Sequence, residues 1–585
     1  MPLSRLLRFE LEQPVIGIIA GVVAATVLAV IPWSQDAVAR GNLDAVRTAQ
    51  SVSRAQDGGF KDYQDLIASG YIHESNKVDA VTDTGGTCYV AVSKSDSGSV
   101  FFSTSRGPGV SEYTEATPAE ATRWCVNDGV LEGVIYGVGY QASRPVCNPN
   151  DIVSFADPDL ETRVRQVAEL PPTGTIIVSD ISTVAMLPAT SPEFDNLSGV
   201  ECMTGLQQVI VQNTSITSLQ PLSGLPNVTL LVFVRNADAT NVRIPALPSL
   251  VQLQFTDNSQ ISDFTISGFP ALQQLSLTDN ASLESIEIYD LPELTDVNID
   301  PASVLVDLTV RDLPNLVNLN GTSGYYAPGA GAVLSNLPNL NGAFFDNTTG
   351  LASIVATNTS SGIFSSRGAD LETVDITSLV SGGIYVGNNP KLKTVSILDS
   401  TSDEGIFLKE NSSLTDIYVS DTAGDVYVND DPKLEKLVVT GGSSSTGIFV
   451  GNNPLLNDLT ISAVSTPAIY ITGSDINNLS GIENIPTLSI LGVSGSASLT
   501  TVGSVTGLTG LDTVILNNNP NLNNLNGIEP AITITDLSVA NSGITSLMSL
   551  FGMSGLLNLD LTGASSSAAQ IDELLSHIPG VTITQ

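Results

Sequence analysis

The chain is short of basic residues, of aromatic rings and of histidine. Of its 585 residues, 22 are Lys or Arg against 60 Asp or Glu, which gives a formal charge of -38, and no Lys or Arg follows Lys436. Such a surface repels phosphates and anionic headgroups. Nucleic acid is therefore excluded as a partner, whereas a basic partner or a divalent cation is not. His73 and His577 are the only histidines, and the four cysteines contain no Cys-x-x-Cys pair, so no zinc-ligand set exists and no metal site is assigned. Gly-x-Ser-x-Gly, His-Glu-x-x-His and phosphate-binding glycine loops are missing as well. With so little histidine for acid–base work, the chain reads as non-enzymatic, with no catalytic residue and no cofactor. The paired acids Asp430 and Asp431, beside Asn429 and Pro432, lack EF-hand spacing and read as a solvated turn.

Charged residues make up only 14% and aromatics 5%, yet 42% of the chain is apolar, which excludes a disordered polymer. A length of 585 residues also exceeds one ordinary core, so several domains or a repeat array are expected.

The N-terminal stretch contains the one long hydrophobic run. Gln13 to Gln35 carries no charge, and Arg5 and Arg8 precede it. At ~1.5 Å per residue this run can cross a ~30 Å hydrocarbon core. Residues 1–14 then form a cytoplasmic basic leader and 15–33 a transmembrane helix, with the C-terminal bulk outside the cell membrane. A cleaved signal peptide is the alternative, but the run is long for one and ends in Ile31-Pro32-Trp33 rather than small-x-small.

Phe9, Glu12, the Ile31-Pro32 ending and the Leu66 to Ile72 stretch (LIASGYI) resemble the N-terminal half of type IV pilins and pseudopilins. Arg8 stands before Phe9, and Glu12 is fourth counting from it, two departures from the family pattern. The resemblance implies pilin-type processing and assembly at Phe9 and Glu12, other pilins as partners, and a pilus location. It also implies an amphipathic helix and a small α+β head over 34–146. Alternating segments at 88–92 and 100–104 agree with strands in such a head. Four cysteines outside the cytoplasm read as two disulfides with three pairings open; the pairing taken is Cys88 with Cys125 and Cys147 with Cys202.

Beyond this head the chain is periodic. Leu or Val recurs at 206, 228, 250, 272, 294 and 316, a step of 22, each opening a Leu-x-x-Leu-x-Leu string such as Leu272-Gln-Gln-Leu275-Ser-Leu277, often with an Asn after it such as Asn258 or Asn280. This is the leucine-rich-repeat signature, in which each repeat buries its apolar side only against its neighbours. The step loosens over 317–370 and returns at Leu371, Leu392, Leu414, Leu434 and Leu456, then near 488, 511, 534 and 556, for about fourteen turns. Residues 147–200 read as linker and N-terminal cap, with a helix starting at Asp157-Pro158; 201–567 are the repeats and 568–585 a C-terminal cap. The segment 195–225 resembles the internalin-like bacterial leucine-rich repeats. The fold class expected is an N-terminal pilin-like transmembrane helix with a small α+β head, followed by a leucine-rich-repeat β-solenoid.

Seven residues before each opening Leu lies a second strand. In the early repeats that place holds Arg243, Thr265, Glu287 and Thr309; in the later ones it holds Phe364, Tyr385, Phe407, Tyr427 and Phe449, with Tyr470 continuing the series. Apolar neighbours on both sides, such as Ile384 and Val386, point these rings outward as a ladder. Ring stacking along the sheet is one role for it, and contact with a protein or carbohydrate ligand is the other. On the first strand the outward places are polar: Gln252, Gln254, Gln274, Ser276, Asp296, Asn298, Thr394, Ser396, Asp458 and Thr460. The functional expectation is a cell-surface adhesion or recognition protein on a pilin-like anchor, in the manner of a minor tip pilin. The alternative is a structural envelope or pilus protein whose solenoid associates with itself.

Overall fold

The computed structural model describes residues 35–69, 71–72, 78–82, 87–94, 100–105, 111–113 and 147–585, the last span without 240, 241, 243, 300–303 and 361. The transmembrane expectation at 15–33 and the processing residues Phe9 and Glu12 lie outside the described residues. Among the described residues no helix is long and apolar enough to cross a membrane. The chain divides into two compact units, 1–142 and 143–585.

In the first unit the helix Gln35–Gln56 places Ala39, Leu43, Val46 and Ala49 at three- and four-residue spacings, so they share one buried stripe. That stripe packs on an antiparallel sheet of Val78–Thr82, Tyr89–Lys94, Val100–Thr104 and Ser111–Tyr113, whose Tyr89, Ala91 and Phe101 belong to the same core. Cys88 is disulfide-bonded. Position 125, the partner expected for it, lies outside the described residues.

The second unit is a succession of short parallel strands and tight corners that stacks turn upon turn. It opens with the helix Pro158–Val167, capped by Asp157, whose carboxylate accepts the Asp159 and Leu160 amides and buries Leu160 and Val164 over the first turn. The Cys147–Cys202 disulfide, 55 residues apart, ties this cap to the coil. Removing that cross-link with Cys147→Ser and Cys202→Ser is expected to cost about 4 kcal/mol of cap stability by the loop-entropy argument. The measurement is hydrogen exchange of the cap helix, and unchanged protection would refute it.

Each turn has a front and a back half. The front sheets comprise seven strands from Met186–Ala189 to Asn318–Asn320, then twelve from Ala343–Asp346 to Thr582–Thr584. Thr322 and Ser323 join the two, since both hydroxyls donate to the Phe344 carbonyl. The back sheet has eleven strands from Asp263–Ile266 to Ile482–Glu483. Nineteen front strands exceed the fourteen turns expected from the spacing of leucines. After Glu483 the back half carries no strand until the end of the chain, and the helix Ala568–His577 supplies the last back segment before Thr582–Thr584 closes the front sheet.

Both halves carry an apolar triplet, eleven residues apart: Leu272, Leu275 and Leu277 in front, Leu283, Ile286 and Ile288 behind, all buried. This near-equivalence corrects the sequence alignment. The strand after Leu371, Thr373–Thr377, does not continue the front column of Gln274 and Asp296. It pairs through Thr349–Thr359 and Tyr325–Leu337 with the back strand Leu305–Arg311. Consequently Gln252, Gln254, Gln274, Ser276, Asp296 and Asn298 face the front, while Thr394, Ser396, Asp458 and Thr460 face the back. Thr265, Glu287 and Thr309 form one back column running on to Asp375, Ser396 and Tyr418. The aromatic strands are not in that column. They belong to the front. Arg243 lies outside the described residues.

Candidate functional site

A buried asparagine ladder fixes the phase of the front strands independently. The Asn236 and Asn258 backbone amides donate to the Asn258 and Asn280 side-chain carbonyls of the next turn, and each Nδ2 donates to the end of the preceding front strand. The same corner follows four of the aromatic strands, those of Tyr385, Phe407, Tyr427 and Phe449: Asn389 donates to Asn411, Asn411 to Asp431, and Asp431 to Asn453, each through its backbone amide. These bonds satisfy amides that would otherwise be buried and unpaired, at about 1 kcal/mol each.

Asp431 is the acid in this series, and it corrects the solvated-turn reading: it is fully buried. Its Oδ1 accepts the Asn411 amide at 2.8 Å, but Oδ2 has no partner. Where the neighbouring asparagines donate Nδ2 to Val386 and Val428, the register sets the Leu408 carbonyl opposite an oxygen of Asp431. Burial pushes the Asp431 carboxyl up to about 7, assisted by the charges of Asp430 and Glu410 and opposed by the bonds from Asn411.

The front strands from 343 to 472 turn one aromatic ring outward per turn. All six expected rings are there, half-buried, and a seventh, Phe344, begins the series with 51% of its surface exposed. They align as Phe344, Phe364, Tyr385, Phe407, Tyr427, Phe449 and Tyr470 in continuous register. Phe344 stacks on Phe364 at 4.9 Å and 8° between planes; Phe407, Tyr427 and Phe449 follow at 4.7 and 4.9 Å, and Tyr470 at 5.7 Å. The spacing is that of adjacent strands, so the sheet itself sets the stack.

Glycine makes room for the rings. A Cβ on Gly342, Gly405 or Gly447 would lie 3.0–3.1 Å from the ring of Phe344, Phe407 or Phe449 two residues on, and one on Gly362 would lie 2.6 Å from Phe364. Each of these rings leans over the glycine two places before it. The Gly-x-Phe pattern was a usable signal for the missing Phe344. At the far end Tyr470 rests against Gly492 of the next strand, which ends the column.

Tyr385 breaks the order. Its ring leans the other way, over Gly387, with the hydroxyl 3.0 Å from where a Cβ would stand, and the Lys409 ammonium lies 5.5 Å from its ring centre. It stacks on neither Phe364 nor Phe407. Elsewhere in the stack the ring faces cover one another, so the half-buried rings meet the solvent mainly by their edges.

These features define a leucine-rich-repeat solenoid with an outward aromatic stripe on its front sheet. No family model and no curated protein matches the chain. Solved structures that it resembles include an internalin, InlF, from Listeria monocytogenes, at 14% identity over 74% of this chain and 88% of that one, with a TM-score of 0.16. The functional domain of InlJ from the same organism matches at 14% identity over 71% and 82%, with a TM-score of 0.20. YopM from Yersinia enterocolitica matches at 19% identity over 62% and 79%, again at 0.20. Likeness at this level carries no function, and the solenoid assignment rests on the chain's own repeats and strand pairing.

Proposed function

We propose that the chain is a surface-displayed recognition protein that binds a protein partner along the front stripe from Phe344 to Tyr470. The anchor in this reading is the 15–33 segment with its pilin-like stalk, which presents the solenoid outside the cell in the manner of a minor tip pilin. One observation carries the reading: seven half-exposed aromatic rings stand in consecutive turns of a front face whose nearest outward places are Gln, Asn, Asp and Ser, with aliphatic side chains such as Ile210, Leu230, Val232, Ile490 and Ile515 nearer its two ends. A protein partner suits the stripe better than a sugar chain. Pyranose rings pack on free aromatic faces, and apart from the gap at Tyr385 the faces in this stack cover each other, whereas protein side chains pack against ring edges as readily.

The test is a cell-adhesion assay with full-length Phe407→Ser, Tyr427→Ser and Phe449→Ser combined, with circular dichroism as the control for folding. Adhesion is expected to fall at least about ten-fold, as for loss of a central aromatic cluster. Unchanged adhesion would overturn the proposal. If assembly of the protein is lost at the same time, the solenoid serves self-association instead.

A further inference from the structure

We infer that the gap left in the ladder by Tyr385 is a slot for one arginine side chain of the partner protein. The inference rests on the stripe being the binding face, and it names the chemistry of its centre. Phe364 and Phe407 lie two strands apart, roughly 9.6 Å at ~4.8 Å per strand. A flat group entering between them stands about 4.8 Å from each ring. That is the spacing the stack already uses, 4.7–4.9 Å. Only here do two ring faces of the column look at each other without a ring between.

The floor of the gap is Gly383. In the turns of Phe344, Phe364, Phe407 and Phe449 the glycine at this place is covered by the ring of its own strand; at Gly383 the nearest atoms to a Cβ are instead Cβ and Oε2 of Glu404, both at 3.3 Å. Glu404 is exposed and has no ion pair among the described residues, and Asp403 beside it accepts the Gly382 amide. Nearby cations are already used: Arg367 pairs with Asp346 and Lys391 with Asp370. A carboxylate under two facing rings asks for a planar cation. Guanidinium meets all three demands, since it stacks on ring faces, pairs with carboxylate and sheds water more easily than ammonium. Lys409, on the far side of the column, holds the Tyr385 ring out of the gap through its face. The slot is thus kept open by residues of the chain itself.

The experiment titrates full-length protein in detergent with acetyl-Gly-Arg-Gly-amide and with its Lys, citrulline and Phe counterparts, followed by NMR saturation transfer and the chemical shifts of the arginine methylenes. The Arg peptide is expected to bind about ten-fold tighter than the citrulline peptide and several-fold tighter than the Lys peptide, with methylene protons shifted upfield by the two rings. Glu404→Gln is expected to weaken it about five-fold. Gly387→Val, which pushes the Tyr385 ring back into the column, is expected to abolish it. Equal binding of Arg, Lys and citrulline, preference for the Phe peptide, no binding at all, or indifference to both variants would each overturn the slot. If adhesion is lost in the triple Ser variant but kept in Glu404→Gln and Gly387→Val, the slot fails while the stripe stands. If the triple variant also adheres, the stripe itself fails.

Discussion

At pH 8, Asp431→Asn is expected to stabilise the middle turns of the solenoid by about 2–4 kcal/mol, and most of that gain is expected to vanish by pH 4. The folded chain holds the Asp431 proton up to about 7, whereas the ordinary value is 3.8. Between these values the folded state binds a proton that the unfolded state has released, so stability is full below about pH 4 and declines as pH rises toward 7. The span of roughly three pH units at about 1.4 kcal/mol each sets the upper limit. The structural cause is the unpartnered Oδ2, which the register places opposite the Leu408 carbonyl. A protonated Asp431 donates there. An asparagine does so at every pH, as Asn411 and Asn453 do in the adjoining turns. Hydrogen exchange of the strands Ile406–Lys409 and Val426–Asn429 at pH 4.5 and 8 reads the effect. Equal protection of parent and variant at pH 8 would refute it.

Gly321→Ala is expected to cost about 3–4 kcal/mol, a large loss for a single methyl group. Gly321 has φ +86°, in the left-handed region, and a Cβ there would fall on the Ile299 carbonyl of the turn before. Left-handed backbone costs an L residue about 1–2 kcal/mol, and forced overlap in a packed structure adds about 1–3. Gly580→Ala is the control, because its Cβ would meet nothing within 4 Å. Urea denaturation of both variants decides the matter: equal midpoints would mean that the corner at 321 relaxes freely.

Gly321 sits where the leucine string passes from the front half-turns to the back ones, and that change limited what the sequence disclosed. Repeats of 22, buried triplets, the capping helix at Pro158–Val167 and the outward direction of six rings were legible, because each follows from spacing and side-chain alternation. The face on which the rings stand was not. From Leu316 to Leu371 is 55 residues, two and a half steps of 22, and from Leu456 to Leu488 is 32, close to one and a half. Anchoring on leucine crosses from front to back at the first slip and returns at the second. The reason is local composition: Ser360, Ser381, Asp403, Ala423 and Ser445 occupy the front places where an opening Leu is expected, so only the back half-turns keep the full string. The asparagines held the true phase. Asn389, Asn411 and Asn453 follow the aromatic strands as Asn258 and Asn280 follow the early Leu-rich ones. Asp431 escaped notice because an acid beside another acid before proline looks solvated, and only burial in the ladder shows otherwise. The departure of Tyr385 from the stack, with its ring over Gly387 and beside Lys409 of the next turn, could not be read from one strand.

A coil made of two similar half-turns has a further property. Eleven added residues advance every later side chain by half a turn, exporting the whole downstream pattern to the opposite side while each strand keeps its buried triplet and its neighbours. The disruption would be confined to the turn that takes the insertion; in this chain the long strands Tyr325–Leu337 and Thr349–Thr359 carry the back column through without such a step. A surface of this kind is re-aimed by length alone, with no side chain in it exchanged.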